Sequence, residues 1–166
     1  MFTFVPEYYF DTFEKATAEF LTSIGVKGIV LDIDNTLEPY EHPKAGEHVC
    51  KWLESLKAAG IKTAIVSNNN EQRVKVFNEG FNMPAYARGA KPFKVNVNRA
   101  ISDMGIKKEE AILMGDQVFT DVWAAHNAGI PAILVPPIND KRDILTRFKR
   151  FLEIPVLSAY KRRVGK

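Results

Sequence analysis

The apolar run Gly28-Ile29-Val30-Leu31 leads straight into Asp32-Ile33-Asp34, and this junction constrains the fold more than any other stretch of the chain. A buried strand that ends in paired carboxylates is costly to fold, because charge leaving water is penalised unless a cation or hydrogen bonds compensate. Along an extended chain, residues two apart point the same way. Asp32 and Asp34 can therefore face one point beyond the strand end. A divalent cation and a phosphate suit such a point.

Two further apolar runs end in small polar or acidic residues. Ile65-Val66 leads into Ser67-Asn68-Asn69, and Ile112-Leu113-Met114 leads into Gly115-Asp116-Gln117, with Thr120-Asp121 beyond. Ala90-Lys91-Pro92 offers a single cation ahead of a predicted helix. The pattern predicts strands at 28–33, 62–67, 111–114 and 132–135, with a short one at 85–87. Helices are expected at 13–23, capped by Thr12 or Asp11, and at 45–59, 71–78, 92–104, 121–128 and 143–153. In the second of these, Val49, Trp52, Leu53 and Leu56 recur at helical spacing and Gly60 ends it. In 92–104 proline occupies the first turn, and Phe93, Val97, Ile101 and Met104 form the apolar face. Apolar strands alternating with helices imply parallel β-α-β units in a doubly wound sheet, with ligands beyond the carboxyl ends of the strands.

The four pieces, taken in order from Asp32 to Asp121, resemble the four motifs of the haloacid dehalogenase phosphatase superfamily. The form Asp-x-Asp-x-Thr, here Asp32, Asp34 and Thr36, resembles its phosphatases rather than its dehalogenases. The chain's short length and the segment 27–37 resemble the YqeG/phosphatidylglycerophosphatase branch, subfamily IIIA. The resemblance implies a Rossmann-like three-layer α/β/α fold with no cap or a minimal one, and a phosphomonoesterase working through an aspartyl-phosphate. It implies Asp32 as nucleophile and Asp34 as general acid and then base. Thr36 would brace the turn. Mg²⁺ would be held by Asp32, the main-chain carbonyl of Asp34, and Asp116, with Asp121 orienting a metal-bound water or Lys91. Ser67 and Asn68 would bind phosphoryl oxygens, and Lys91 would offset the repulsion between carboxylate and phosphate.

Each piece alone has an ordinary structural explanation: Ser67 as a helix cap, Lys91 as a surface lysine, Asp116 and Asp121 as a turn residue and a cap. Their joint order and spacing carry the phosphatase reading. Other chemistries fail. His42, His48 and His126 do not cluster with Cys50 or acids at metal-site spacing. Cys50 reads as a buried inert thiol. The Walker pattern Gly-x-x-x-x-Gly-Lys-Ser/Thr is absent, which counts against a P-loop NTPase.

The 166 residues fit one domain, with a core at about 26–135 and flanks at 1–25 and 139–166. A formal charge of +3 does not by itself argue for nucleic acid, and none is expected as a partner. A lone cysteine forms no internal disulfide. The start of the chain lacks a signal peptide's basic region, and no apolar run is long enough to span a bilayer, so a cytoplasmic protein is expected, with peripheral membrane contact as an option. The intervals between motifs hold no large cap. An open site admits a bulky or surface-bound phosphate such as a phospholipid headgroup, and the resemblance favours phosphatidylglycerophosphate. The alternatives are a soluble sugar phosphate or nucleotide as substrate, and a non-catalytic scaffold that keeps the site. Phe2, Phe4, Tyr8, Tyr9, Phe10, Phe13 and Phe20 are expected to pack over the sheet or helices, the alternative being a face toward lipid. Lys141, Arg142, Arg147, Lys149, Arg150, Lys161, Arg162, Arg163 and Lys166 give the C-terminal stretch a basic side, with Ile144, Leu145, Phe148 and Leu152 opposite. A docked terminal helix is the ordinary reading of that pattern, a membrane-surface helix the other.

Overall fold

A computed structural model of the chain describes residues 4–139 and 144–165, with the main chain only for 144–152. Six parallel strands form one sheet: β1 (Tyr8–Tyr9), β2 (Gly28–Leu31), β3 (Lys62–Val66), β4 (Ala85–Tyr86), β5 (Ala111–Gly115) and β6 (Ala132–Leu134). Their order across the sheet is β1-β6-β5-β2-β3-β4. After β2 the chain moves one way to β3 and β4. It then returns to the other side of β2 for β5 and β6. That reversal opens a crevice beyond the carboxyl end of β2, where ligands of such sheets bind.

Strand residues alternate between the two faces. Ile29, Leu31, Ile65, Ile112, Met114 and Ile133 belong to one core. It is covered by α1 (Ala18–Ser23), α2 (Glu47–Ala58) and α3 (Glu71–Asn78). Val30, Ala64, Val66, Leu113, Ala132 and Leu134 belong to the second core. Its cover is α4 (Val95–Met104) and α5 (Trp123–Ala128). The result is the three-layer α/β/α fold that the alternating pattern implies. In α2 the apolar stripe Val49, Trp52, Leu53 and Leu56 is buried as its spacing predicts. Each such side chain contributes about 1.5–3 kcal/mol on burial. Gly60, at φ +76°, closes that helix in the left-handed region that glycine enters at little cost.

Several boundaries differ from the sequence reading. The expected helix 13–23 is split. A 3₁₀ turn covers Phe13–Lys15, and α1 starts only after Thr17, whose hydroxyl accepts from the Phe20 N–H at 3.2 Å. The cap is thus Thr17 rather than Thr12 or Asp11. The strand expected at 28–33 stops at Leu31, because the Ile33 carbonyl turns to accept from Thr36, Leu37 and Glu38. The helix expected at 92–104 begins at Val95, since 90–93 form a turn in which Phe93 N–H bonds to the Ala90 carbonyl at 2.8 Å. Phe93 consequently leaves the apolar face and is 70% exposed, whereas Val97, Ile101 and Met104 are buried. The helix expected at 121–128 is a single π-helical turn, Val118–Val122, followed by α5.

The aromatic N-terminal segment does more than cover the core. Tyr8 and Tyr9 add β1 to the edge of the sheet, paired with Ile133 and Leu134. Phe4 packs edge-on against Phe119 and Trp123, Tyr8 and Phe10 against Phe20, and Phe13 against Trp52. The last helix, α6 (Ile144–Val164), runs well past its expected end and through Pro155. Tyr160 Oη accepts from the Tyr9 N–H at 3.1 Å, and Arg163 donates to the Pro6 carbonyl. Phe2, Lys141, Arg142, Asp143 and Lys166, and the side chains of Ile144, Leu145, Arg147, Phe148, Lys149, Arg150 and Leu152, lie outside the described residues. No helix among the described residues is long and apolar enough to cross a membrane.

Candidate active site

Register brings the motifs together. Leu31 lies beside Ile65 on one flank and Met114 on the other, so β2, β3 and β5 end at one level. Asp32, Ser67 and Asp116 emerge from that edge within a residue or two of the last strand pair. The Asp32 N–H still bonds to the Met114 carbonyl at 3.0 Å, which holds it against β5 while the chain turns away. Asn35 makes the turn at φ +61°. Thr36 Oγ1 then lies 3.2 Å from both Asp32 Oδ2 and Asp116 Oδ1, so the expected brace also bridges two strands.

Asp32, Asp116 and Asp121 are all buried, and each offers an oxygen within 4.8 Å of the others. Lys91 sits among them, with Nζ 2.7 Å from Asp32 Oδ1 and 2.6 Å from Asp121 Oδ1. Burial pushes the Asp32 carboxyl up, to about 6, with Asp121 adding to the rise and Lys91 opposing it. Burial alone would depress Lys91, but the carboxylates of Asp121 and Asp32 outweigh it and hold the ammonium above the ordinary lysine range. With all three carboxylates ionised, the four groups carry a net charge of minus two. Their donors toward a cation are hard oxygens, so the set fits a divalent ion such as Mg²⁺. Asp121 joins this cluster more directly than expected. The carboxylate of Asp34 does not join it.

The loop before α4 is tied to β3 by Asn68, whose Oδ1 accepts from Lys91 N–H at 2.9 Å and whose Nδ2 donates to the Lys91 carbonyl at 3.1 Å. Ser67 is buried, and its Oγ accepts from Asn69 N–H at 3.1 Å. It does not cap α3; Asn70 does that, accepting from Arg73 N–H at 2.9 Å. Gly115 admits no side chain. A Cβ there would stand 2.2 Å from Asp121 Cγ. Asp121 Oδ2 meanwhile accepts from Gln117 N–H at 3.0 Å, at the start of the π-helical turn.

Asp34 is held by two residues whose role the sequence reading missed. Its Oδ1 accepts from Arg73 Nε at 2.9 Å and its Oδ2 from Asn69 Nδ2 at 2.8 Å. On α3, Arg73 shares the buried face with Val74 and Phe77. A third missed group is Glu38, buried in the loop after β2, which accepts from Gly46 N–H at 2.5 Å and lies 3.4 Å from His42. His126 pairs with Glu7 at 3.0 Å. Cys50 is half-buried, short of the full burial expected.

Asp32, Asp34, Ser67, Asn68, Lys91 and Asp121 line one polar cavity of about 260 Å³. A larger hollow of about 600 Å³ lies at the other end of β3, walled by Leu53, Ile61, Phe81 and Met104, away from the acid cluster.

The family described as haloacid dehalogenase-like hydrolase matches residues 11–135. The chain is 41% identical over 160 residues to the probable phosphatase YqeG of Bacillus subtilis, covering 96% of this chain and 93% of that protein. In fold it is similar to a protein from Listeria monocytogenes (TM-score 0.56, 23% identity, 71% of this chain and 85% of that one). It is also similar to CbbY of Rhodobacter sphaeroides, solved in complex with phosphate (TM-score 0.56, 13% identity, 71% and 90%).

Proposed function

We propose that this chain, a phosphatase that belongs to the haloacid dehalogenase-like hydrolases, hydrolyses phosphomonoesters through an aspartyl-phosphate on Asp32. One observation carries the reading. A buried aspartate with an ammonium at 2.7 Å lines a small polar cavity, and a second aspartate two residues on lines the same cavity. An Asp32 oxygen attacks phosphorus, and the bond from phosphorus to the ester oxygen breaks. Asp34 gives its proton to the departing alkoxide, which leaves as the alcohol. Asp34 then takes a proton from water, the water oxygen attacks phosphorus, and the bond to Asp32 breaks to release phosphate. Splitting one displacement into two makes each easier.

Lys91 holds Asp32 in place and offsets the charge that gathers as carboxylate meets phosphate. Ser67, with Asn68, faces the phosphoryl oxygens. Asp32, Asp116 and the main-chain carbonyl of Asp34 would hold Mg²⁺, with Asp121 beside Lys91 supporting the set. When bound, the ion would neutralise phosphoryl charge and orient the group for in-line attack. The test is Mg²⁺-dependent hydrolysis of an aryl phosphate, abolished in Asp32→Asn, together with a phosphoryl adduct on the Asp32 peptide after acid quench. Turnover that persists in Asp32→Asn would sink the reading.

The favoured substrate is phosphatidylglycerophosphate, met by a cytoplasmic enzyme in peripheral contact with the membrane. The absence of a cap supports this. So do the exposed side chains of Tyr40, Phe93 and Ile138, on loops that follow β2, β4 and β6 at the edge carrying the site, and of Val95 at the start of α4. The 260 Å³ cavity is lined by polar residues throughout, which gives a specific reason for a second reading, a soluble sugar phosphate or nucleotide. Turnover of lipid vesicles against a soluble panel separates the two. A scaffold role is disfavoured by the complete acid set.

A further inference from the structure

We infer that Arg73 is a positioning residue that acts on the reaction through Asp34. The inference rests on the phosphatase reading and adds to it the device that aims the acid. Asp34 has both carboxylate oxygens held from within the protein: Oδ1 by Arg73 Nε at 2.9 Å and Oδ2 by Asn69 Nδ2 at 2.8 Å. Asp34 and Asn69 line the cavity, and Arg73 does not. The guanidinium thus meets the cavity through Asp34 rather than by lining it.

The guanidinium is itself fixed on several sides. Nη1 donates to the Pro43 carbonyl at 2.6 Å, Cζ lies over the Phe77 ring at 5.8 Å from its centroid, and the Arg73 main-chain N–H is tied to the Asn70 side chain. Arg73 is buried in a helix whose other buried positions are Val74 and Phe77. An arginine placed among apolar side chains carries a desolvation cost that a solvent-facing lysine or glutamine would avoid. A short aspartate side chain on a turn otherwise rotates about two torsions, and aiming its proton at the leaving oxygen calls for a single orientation. The hydrogen bond from Arg73 Nε, on a guanidinium whose Nη1 is tied to the Pro43 carbonyl and whose Nη2 has no partner among the described residues, supplies that restraint. The guanidinium also ties the 38–46 loop, through Pro43, to the same carboxylate.

The leaving group distinguishes aiming from mere support. Expelling an alkoxide needs the proton from Asp34, whereas expelling p-nitrophenolate hardly does. Arg73→Gln should lower kcat/KM on an alkyl phosphate roughly 10²-fold, the scale of a misplaced catalytic group; every comparison is made in kcat/KM, which stops at formation of the aspartyl-phosphate and so excludes the later role of Asp34 as base. Its loss on p-nitrophenyl phosphate should be at least about tenfold smaller, the pattern also expected of Asp34→Asn. In an Asp34→Asn background, Arg73→Gln should add nothing further, because partners acting as one unit are not additive. Arg73→Lys keeps the charge but loses the fixed placement of the Nε and Nη1 donors, and should show the same substrate bias in weaker form. It carries the comparison if the glutamine variant does not fold. Equal losses on both substrates, or losses that add in the double variant, overturn the inference. Wild-type protein without any Asp32-dependent turnover overturns the phosphatase reading instead, and this inference with it.

Discussion

Replacing Lys91 by methionine should destabilise the protein sharply when no divalent ion is present. The Lys91 ammonium lies 2.7 Å from Asp32 and 2.6 Å from Asp121, with its side chain only 2% exposed. Methionine fills the same volume but leaves buried carboxylates facing one another. Removing one partner of a buried ion pair costs about 3–5 kcal/mol, against a total stability of about 5–15 kcal/mol for a domain. At about 2–4 °C per kcal/mol for a chain of this size, melting should fall by roughly 6–20 °C. Because the carboxylates raise the lysine above its ordinary range, its contribution is fully present at neutral pH and is lost only in strong alkali. The assay is thermal melting in EDTA at neutral pH. Mg²⁺ should restore part of the loss, and Asp121→Asn added to Lys91→Met should restore more, since each lowers the uncompensated negative charge. If Lys91→Met in EDTA melts within about 2 °C of wild type, the account of how this cluster is held is wrong.

Asp32→Asn should have the opposite effect on metal-free stability: burial raises Asp32 to about 6, so ionisation at neutral pH works against the fold, and asparagine should add on the order of 1–3 kcal/mol. That advantage should shrink as pH falls through 6 toward 4, where wild-type Asp32 becomes neutral, and melting curves over this range would check it. Gly115→Ala should lower kcat at least about tenfold while the circular dichroism spectrum stays native, because the added Cβ lands 2.2 Å from Asp121 Cγ and pushes that carboxylate off Lys91. Glu153→Ala removes the acceptor for the Val118 N–H at 3.0 Å, at the head of the turn that carries Asp121. It should cost about 1–3 kcal/mol and speed hydrogen exchange at Val118, with an unchanged exchange rate counting against it.

The parts of the site that could be read from sequence are those fixed by the strands. Three apolar runs of similar length, each ending in polar residues, can share a level only if they lie parallel and in register. Leu31, Ile65 and Met114 lie side by side in that way. Asp32, Ser67 and Asp116 follow without knowledge of any loop. Arg73 was not legible because an arginine in the first turn of a helix ordinarily faces water, and nothing local says that Asp34 waits 39 positions earlier in the chain. Phe93 was misread for a related reason. Pro92 suits a first helical turn, but the turn at 90–93 is separate from α4, and the ring is left in solvent. The two residues of β1 carry no periodicity that distinguishes a sheet edge from aromatic packing.

The same contrast separates what the fold enforces from what the site tolerates. The sheet ends are rigid, and they hold Asp32 and Asp116 where mutual repulsion would otherwise drive them apart. Lys91, Thr36 and Asn68 reach that edge from three loops and join it by hydrogen bonds of 2.6–3.2 Å. A site assembled in this way is preorganised for charge before substrate arrives, which is where most of the benefit in phosphoryl transfer lies. It is also electrostatically strained until a cation or its lysine balances it. Stability in EDTA and catalytic rate should therefore move in opposite directions for Asp32→Asn and in the same direction for Lys91→Met. A structural cluster without catalytic purpose gives no reason for that split.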